Sequence, residues 1–116
     1  MSSRKLEPSV GRLFGSSRRT EVLVGIALLE ETYSRELARI LDAPLISVQR
    51  IVESLELEGA VATRLVGRQR QISLNPRYFA RTELAALLRR MALSDQRLME
   101  AVGALRRRPR RKGKPL

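Results

Sequence analysis

Two short amphipathic patterns between residues 36 and 59 are the clearest structural signal in the chain. Apolar residues lie in the first pattern at Leu37, Ala38, Ile40 and Leu41, and in the second, at i, i+4 and i+7 spacing, at Val48, Val52 and Leu55. Pro44 interrupts the pattern between them, because proline lacks a backbone donor and suits the first turn of a new helix. Gly59 supplies a helix stop. We therefore predict two helices joined by a tight turn, the second from Leu45 to Glu58.

Another helix is predicted upstream of this pair, over about residues 18–31, where apolar residues recur at helical spacing. Ser16 or Ser17 is placed to cap its first turn. Residues 1–12 mix serine, glycine, proline and charge without periodicity, which predicts a flexible N-terminal arm before an ordered part that begins at Leu13.

The first helix of the pair, from Arg35 to Leu41, is expected to begin behind Ser34. The Ser34 hydroxyl is predicted to replace a missing backbone partner as the cap of this helix. We expect Tyr33, just before it, to form a one-residue bridge to a strand.

A β-hairpin is predicted after the second helix of the pair. Residues 61–65 and 71–74 are β-prone with partial alternation, and Gly67, Arg68 and Gln69 separate them. Asn75 and Pro76 end the second run. The hairpin carries three arginines and no acid between residues 60 and 71, which gives it a basic tip.

From about Thr82 to Arg107 one helical pattern continues, and its apolar residues alternate steps of three and four, as in a heptad seam. The seam predicts a dimer interface, formed by Leu84, Leu88, Met91, Leu98, Val102 and Leu105. Asp95 occupies one seam position. Either the helix breaks near Ser94, whose hydroxyl then caps a new start, or a polar layer lies inside the interface.

Composition limits the function. The 116 residues amount to one domain, and 23 lysines and arginines against 12 acids give a net charge of +11, which favours a polyanionic partner. Seven of these cations lie in residues 106–114, so residues 1–105 carry 16 − 12 = +4. We expect residues 108–116 to be a disordered basic tail.

Several classes of function are disfavoured. Without cysteine or histidine the chain has no disulfide, no soft-ligand metal site and no histidine acid-base catalysis. It also lacks a nucleophile-base pair and a phosphate-binding glycine loop, so we expect no enzyme activity and no cofactor. No apolar run approaches a membrane span or a signal peptide, from which we expect a cytoplasmic protein without a membrane partner.

The segments ELARIL, SVQRIVESLELEG and VATRLVGRQRQISLNP resemble the winged helix-turn-helix transcription regulators of the ArsR and MarR type. The resemblance covers about Leu13 to Pro76. It implies a mainly α fold with a small β-hairpin (α+β), in which residues 13–78 form the DNA-binding domain and residues 79–107 the C-terminal dimerisation helix or helices. The metal sensors of the ArsR type bind through cysteine and histidine, and this chain departs from them by having neither, so we expect no metal.

In such a fold the second helix of the motif lies in the major groove, and the hairpin wing reaches the backbone or the minor groove. The resemblance therefore implies that DNA is contacted by Ser34, Arg35, Leu45, Ile46, Ser47, Gln49, Arg50, Arg64, Arg68, Gln69 and Arg70. Gln49 suits adenine, and Arg50 suits guanine or a phosphate. Leu45 either touches a thymine methyl group or packs in the turn. Three acids, at positions 53, 56 and 58, crowd the far end of the helix, so the helix enters the groove by its N-terminus.

These expectations combine into a sequence-specific regulator that binds double-stranded DNA. A homodimer of this kind reads a two-fold operator with its recognition helices ~34 Å apart. The alternative is an accessory module whose winged helix binds a protein, or whose basic tail binds RNA, because fold alone does not determine function.

Overall fold

The computed structural model describes residues 10–107, in which five helices and one two-stranded antiparallel sheet follow one another as ααα, ββ and αα. The elements are α1 (Ser17–Leu29), α2 (Ser34–Leu41), α3 (Leu45–Leu57), β1 (Val61–Val66), β2 (Gln69–Leu74), α4 (Arg81–Ala92) and α5 (Gln96–Arg107). The predicted α+β class, mainly helical with one small hairpin, is confirmed. The predicted basic tail and most of the predicted N-terminal arm lie outside the described residues.

The ends of α1, α2 and α3 follow from residues visible in the sequence. Ser16 caps α1, since its hydroxyl accepts a hydrogen bond from the backbone N–H of Arg19 at 3.0 Å. Asp42 ends α2 in the left-handed conformation, with φ of 54°. Pro44, with φ of −64°, is the N-cap of α3, and Gly59, with φ of +86°, follows its end. The predicted turn between α2 and α3 is therefore present.

At the start of α2 two predictions are wrong by one residue. Ser34 is the first residue of the helix, so the N-cap is Tyr33, which makes no side-chain capping bond. The neighbouring Thr32 hydroxyl instead donates to the Glu36 carboxylate at 2.7 Å. Thr32, and not Tyr33, also forms the isolated bridge, with N···O distances of 2.9 and 2.7 Å to Ile72 in β2. The backbone thus joins the start of α2 directly to the hairpin.

The first helix is the centre of the core. Residues 22–27 of α1 are all buried, and α1 packs against α2, α3, α4, α5 and β2. Gly25 lets α2 approach closely, because a Cβ there would lie 3.0 Å from Cδ2 of Leu37. Val10 is also buried in this core, so packing begins three residues before the predicted Leu13.

The alternative of one long continuous C-terminal helix is wrong, because the chain turns between Ala92 and Gln96 and gives two helices of 12 residues each. The Asp95 carboxylate accepts a hydrogen bond from the backbone N–H of Leu98 at 3.1 Å, which is the geometry of an N-cap. The Ser94 hydroxyl donates to the carbonyl of Met91 at 2.8 Å, at the end of α4. Of the two alternatives the break is therefore the observed one, with Asp95 in place of Ser94 as the cap.

The break folds much of the predicted seam into the chain's own core. Leu88, Leu98 and Val102 are 0%, 4% and 5% exposed, while Leu84, Met91 and Leu105 are half-buried. Helix α4 packs along α1, and α5 packs against α1 and α2. At the end of α5, the Arg106 guanidinium donates to the carbonyl of Leu28 in α1. A heptad-like spacing is thus satisfied within one chain, and a role in dimerisation stays a prediction.

Replacing Asp95 with alanine is expected to lower the free energy of unfolding by about 1 kcal/mol, because α5 loses the acceptor for one of its unpaired N–H groups. Urea denaturation followed by circular dichroism measures the change. Asp95→Asn keeps an acceptor at the same position and is expected to retain most of the stability. An asparagine variant as unstable as the alanine variant would contradict the capping role.

Candidate nucleic-acid interface

Helix α3 has one buried face and one accessible face. Val48, Val52 and Leu55 lie in the core at 0%, 6% and 2% exposure. On the other face Gln49 and Arg50 are exposed, Ile46 is 58% exposed, and Ser47 is half-buried. Leu45 is half-buried and precedes Val48 and Val52 by three and seven residues, so it lies on the core side of the helix. Of the residues predicted to read bases, Ile46, Ser47, Gln49 and Arg50 are therefore the ones outside the buried face, on the first two turns of α3.

The hairpin closes with a two-residue turn, Gly67 and Arg68, in which Gly67 has φ of +65°. Glycine at the first turn position is typical of the tight turns that match strand twist. Val66 pairs with Gln69, so Gln69 belongs to β2 and not to the turn as predicted. This pairing fixes the register of the whole hairpin.

The register separates the predicted hairpin contacts onto two faces. Arg70 pairs with Leu65, two positions from the buried Ile72, so it lies on the face of the hairpin that also packs in the core. Arg64 lies on the opposite face, where its Nε donates to Oε1 of the paired Gln71 at 3.3 Å. Gln69 shares that opposite face, and Arg68 stands at the tip. The hairpin cations thus do not form one patch.

Between α3 and the core side of the hairpin lies a cleft of about 430 Å³. Its lining residues are Ser34, Gln49, Val52, Glu53, Glu56, Thr63, Arg70 and Ile72. Thr63 links the walls, because its hydroxyl donates to Oε2 of Glu56 at 2.8 Å and accepts from Nη1 of Arg70 at 3.3 Å. Of the predicted contacts, the cleft therefore brings together Ser34, Gln49 and Arg70. Arg35, on the first turn of α2, is exposed outside the lining residues.

The acids of α3 and of its C-cap divide into two groups. Glu58 forms an ion pair with Arg19 of α1 at 3.0 Å, which directs the C-terminal end of α3 towards α1. Glu53 and Glu56, in contrast, line the cleft beside Arg70. The sequence pattern predicted all three acids at the end of α3 far from DNA and did not indicate Thr63 as a site residue. The alternation Val61, Thr63, Leu65 on one face of β1 is the signal that places Thr63 towards α3.

Arg18 and Arg19, in the first turn of α1, form hydrogen bonds and ion pairs with other residues of the fold. Arg18 Nη1 donates to Glu21 at 3.1 Å and to the carbonyl of Leu41 at 3.2 Å. Burial raises the pKa of the Glu21 carboxyl, and the ion pair with Arg18 opposes that rise. Both groups lie on α1, outside the accessible face of α3.

Residues 10–107 contain no group of three or more acidic, cysteine or histidine side chains that could hold a metal ion. No helix in this described range is long and apolar enough to cross a membrane. No protein-family model, curated protein or solved structure matches the chain.

Proposed function

We propose that the chain is a sequence-specific transcription regulator that binds double-stranded DNA, with α2, α3 and the hairpin acting as a winged helix-turn-helix. The observation that carries the proposal is the accessible face of α3, where Ile46, Gln49 and Arg50 are exposed on a helix anchored by its opposite face. An α-helix fits the major groove of B-DNA, where each base pair presents a distinct pattern of donors and acceptors.

The side chains on this face have the chemistry that base reading needs. Gln49 presents an amide that can form two hydrogen bonds with adenine, and Arg50 presents a guanidinium fork that matches guanine. Ile46 supplies an apolar surface for a thymine methyl group. Arg50 makes no hydrogen bond or ion pair with any described residue, so its guanidinium is available to a partner.

The two faces of the hairpin support different roles. Arg64 and Arg68, outside the cleft, are available to neutralise phosphates and release counterions. Arg70 lies beside Glu53 and Glu56, whose carboxylates repel a phosphate from the cleft itself. This distribution favours an approach in which the N-terminal turns of α3 enter the groove and the tip of the hairpin meets the backbone.

We expect Arg68→Ala to weaken binding to every duplex by a similar factor, because a phosphate contact carries no sequence information. The dependence of log affinity on log salt concentration should become shallower by about 1. Fluorescence anisotropy at several salt concentrations measures both quantities. Arg68→Lys keeps the charge and is the matched control, expected to retain the salt slope. A loss confined to one sequence would contradict the phosphate role.

The proposal itself is tested by selecting duplexes from a random pool with the full chain. Binding of a selected duplex is then compared with that of a scrambled duplex of equal length at fixed salt. We expect the selected sequence to bind at least about 1,000-fold more tightly, the lower limit typical of specific recognition. Equal affinity for both duplexes would overturn the proposal. Preference for an RNA of the same sequence would instead favour the accessory-module alternative.

A further inference from the structure

The free end of the hairpin exposes two neighbouring apolar side chains. Leu65 is 65% exposed and Val66 is 40% exposed, and neither belongs to the hydrophobic core or packs against it. They are the last two residues of β1 and lead directly into the two-residue turn. The other end of the hairpin is anchored, because Val61 and Leu74 are buried and pair with each other. The fold therefore does not use the apolar surface at the tip.

Cations surround both apolar side chains. Leu65 lies opposite Arg70 in the ladder, so the two side chains share the face of the hairpin that packs in the core nearer its base. Val66 shares the other face with Arg64, and Arg68 lies in the turn between the strands. The chain has no acid between residues 60 and 71. The charge of the tip therefore complements a polyanion, and its apolar surface is presented within that charge.

We infer that Leu65 acts as a wedge, which enters the minor groove of DNA next to the groove that holds α3, partly unstacks one base step and bends the duplex. The inference rests on the proposed function and extends it, because phosphate contacts by the hairpin arginines use no apolar side chain. Leucine is one of the side chains that proteins insert between base steps from the minor groove, with a kink towards the major groove. Val66 is shorter and branches at Cβ, so Leu65 is the apolar residue of the tip with the longer reach.

The hairpin has the length that such an insertion needs. Near its base the Thr63 hydroxyl donates to Glu56 of α3 at 2.8 Å, which fixes the hairpin beside the helix. Gly67 lies four residues further along the chain, about 13 Å at the rise of an extended strand. The major groove that accommodates a helix is about 12 Å wide. The tip therefore reaches past the phosphate backbone that borders this groove, to the minor groove on its other side.

The width of the hairpin couples its entry to deformation of the DNA. Two paired strands lie about 4.8 Å apart before side chains are added, and the undeformed minor groove is about 6 Å wide. The groove must therefore open, and this costs least at flexible pyrimidine–purine steps such as TA. We expect duplexes selected by the chain to carry such a step under the tip. Replacing it with a stiff A-tract is expected to weaken binding of the wild type roughly tenfold and that of Leu65→Ala much less.

Two fluorescence signals from a selected duplex test the wedge. Energy transfer between dyes at the two ends measures the bend. A fluorescent adenine analogue at the step under the tip measures unstacking, because its emission rises when it leaves the stack. The full wild-type chain is expected to raise both signals, with a bend of roughly 20–90°. Leu65→Ala is expected to bind the same duplex within about tenfold of the wild type and to raise neither signal.

Two further variants are matched controls. Leu65→Met keeps an apolar side chain that also suits insertion, so it is expected to retain the bend. Val66→Ala removes apolar surface from the other face of the same tip and is expected to retain the bend as well. Both positions lie outside the core, and circular dichroism confirms that each variant is folded.

The outcome separates this inference from the DNA-binding proposal. If the wild type prefers the selected duplex but leaves it straight, the wedge is overturned and the DNA-binding proposal stands. The same holds if Leu65→Ala bends the duplex as much as the wild type does. If the wild type bends and unstacks every duplex without preferring one, the wedge is supported and sequence-specific regulation is overturned.

Discussion

Replacing Leu88 with alanine is expected to lower the free energy of unfolding by about 2–5 kcal/mol. Leu88 is 0% exposed, in the core where α4 packs along α1, so truncation removes buried apolar surface and leaves a cavity. A loss of this size is a large part of the ~5–15 kcal/mol that stabilises a typical domain. Urea denaturation followed by circular dichroism gives the value.

Protein concentration separates a core position from a dimer seam. The loss at Leu88 should be the same at low and high concentration, because the contacts are made within one chain. Leu87→Ala is the matched control, a leucine one position earlier that is 42% exposed. This second variant should change the stability of the monomer by less than about 1 kcal/mol. If the Leu88→Ala variant loses stability only at high protein concentration, Leu88 lies in an interface between chains.

The other large effect, on DNA binding, is expected when Arg50 is replaced. Arg50→Ala should weaken binding to a selected duplex by roughly 5- to 150-fold, which corresponds to the ~1–3 kcal/mol of one bidentate base contact. Binding to a scrambled duplex should fall much less, so the ratio of the two affinities decreases. Anisotropy titrations of both duplexes at one salt concentration measure this ratio.

Arg50→Lys distinguishes the two partners that the sequence left open, guanine and phosphate. Lysine keeps the positive charge but lacks the planar fork, so it should preserve the affinity for scrambled DNA and lose most of the discrimination. If Arg50→Lys retains the full preference for the selected duplex, the residue contacts a phosphate. If the Arg50→Ala variant binds both duplexes as tightly as the wild type, Arg50 does not contact DNA.

The helix boundaries near the centre of the chain were predictable because their signals are local. Ser16, Pro44 and Gly59 act on their own backbone neighbours, so their effects are visible without knowledge of the fold. The hairpin was predictable for the same reason. Its register was not, since the difference between a two-residue and a three-residue turn moves each side chain to the other face.

The structure of the C-terminal half could not be predicted from local signals, because it depends on contacts between residues distant in sequence. Asp95 is compatible with a helix cap and with a polar layer in a coiled coil, and only packing of α5 against α1 and α2 distinguishes them. The same limit applies to Thr32, whose bridge to Ile72 joins segments forty residues apart. For the candidate site, the sequence identified the exposed residues of α3 but not the cleft, because the cleft is formed by α2, α3 and the hairpin together and depends on how they pack.

The pairing of the hairpin has a consequence for colloidal stability. Strand β2 lies between β1 and the bridge at Thr32, so within residues 10–107 the outer edge of β1 has no strand beside it. Leu65 and Val66, near the tip, are 65% and 40% exposed. An open edge with apolar residues is a template for edge-to-edge aggregation, and charge is the usual protection. Arg64 and Arg68 supply that charge, so neutral variants of the hairpin, or screening by salt, are expected to make the protein precipitate at lower concentrations even without DNA.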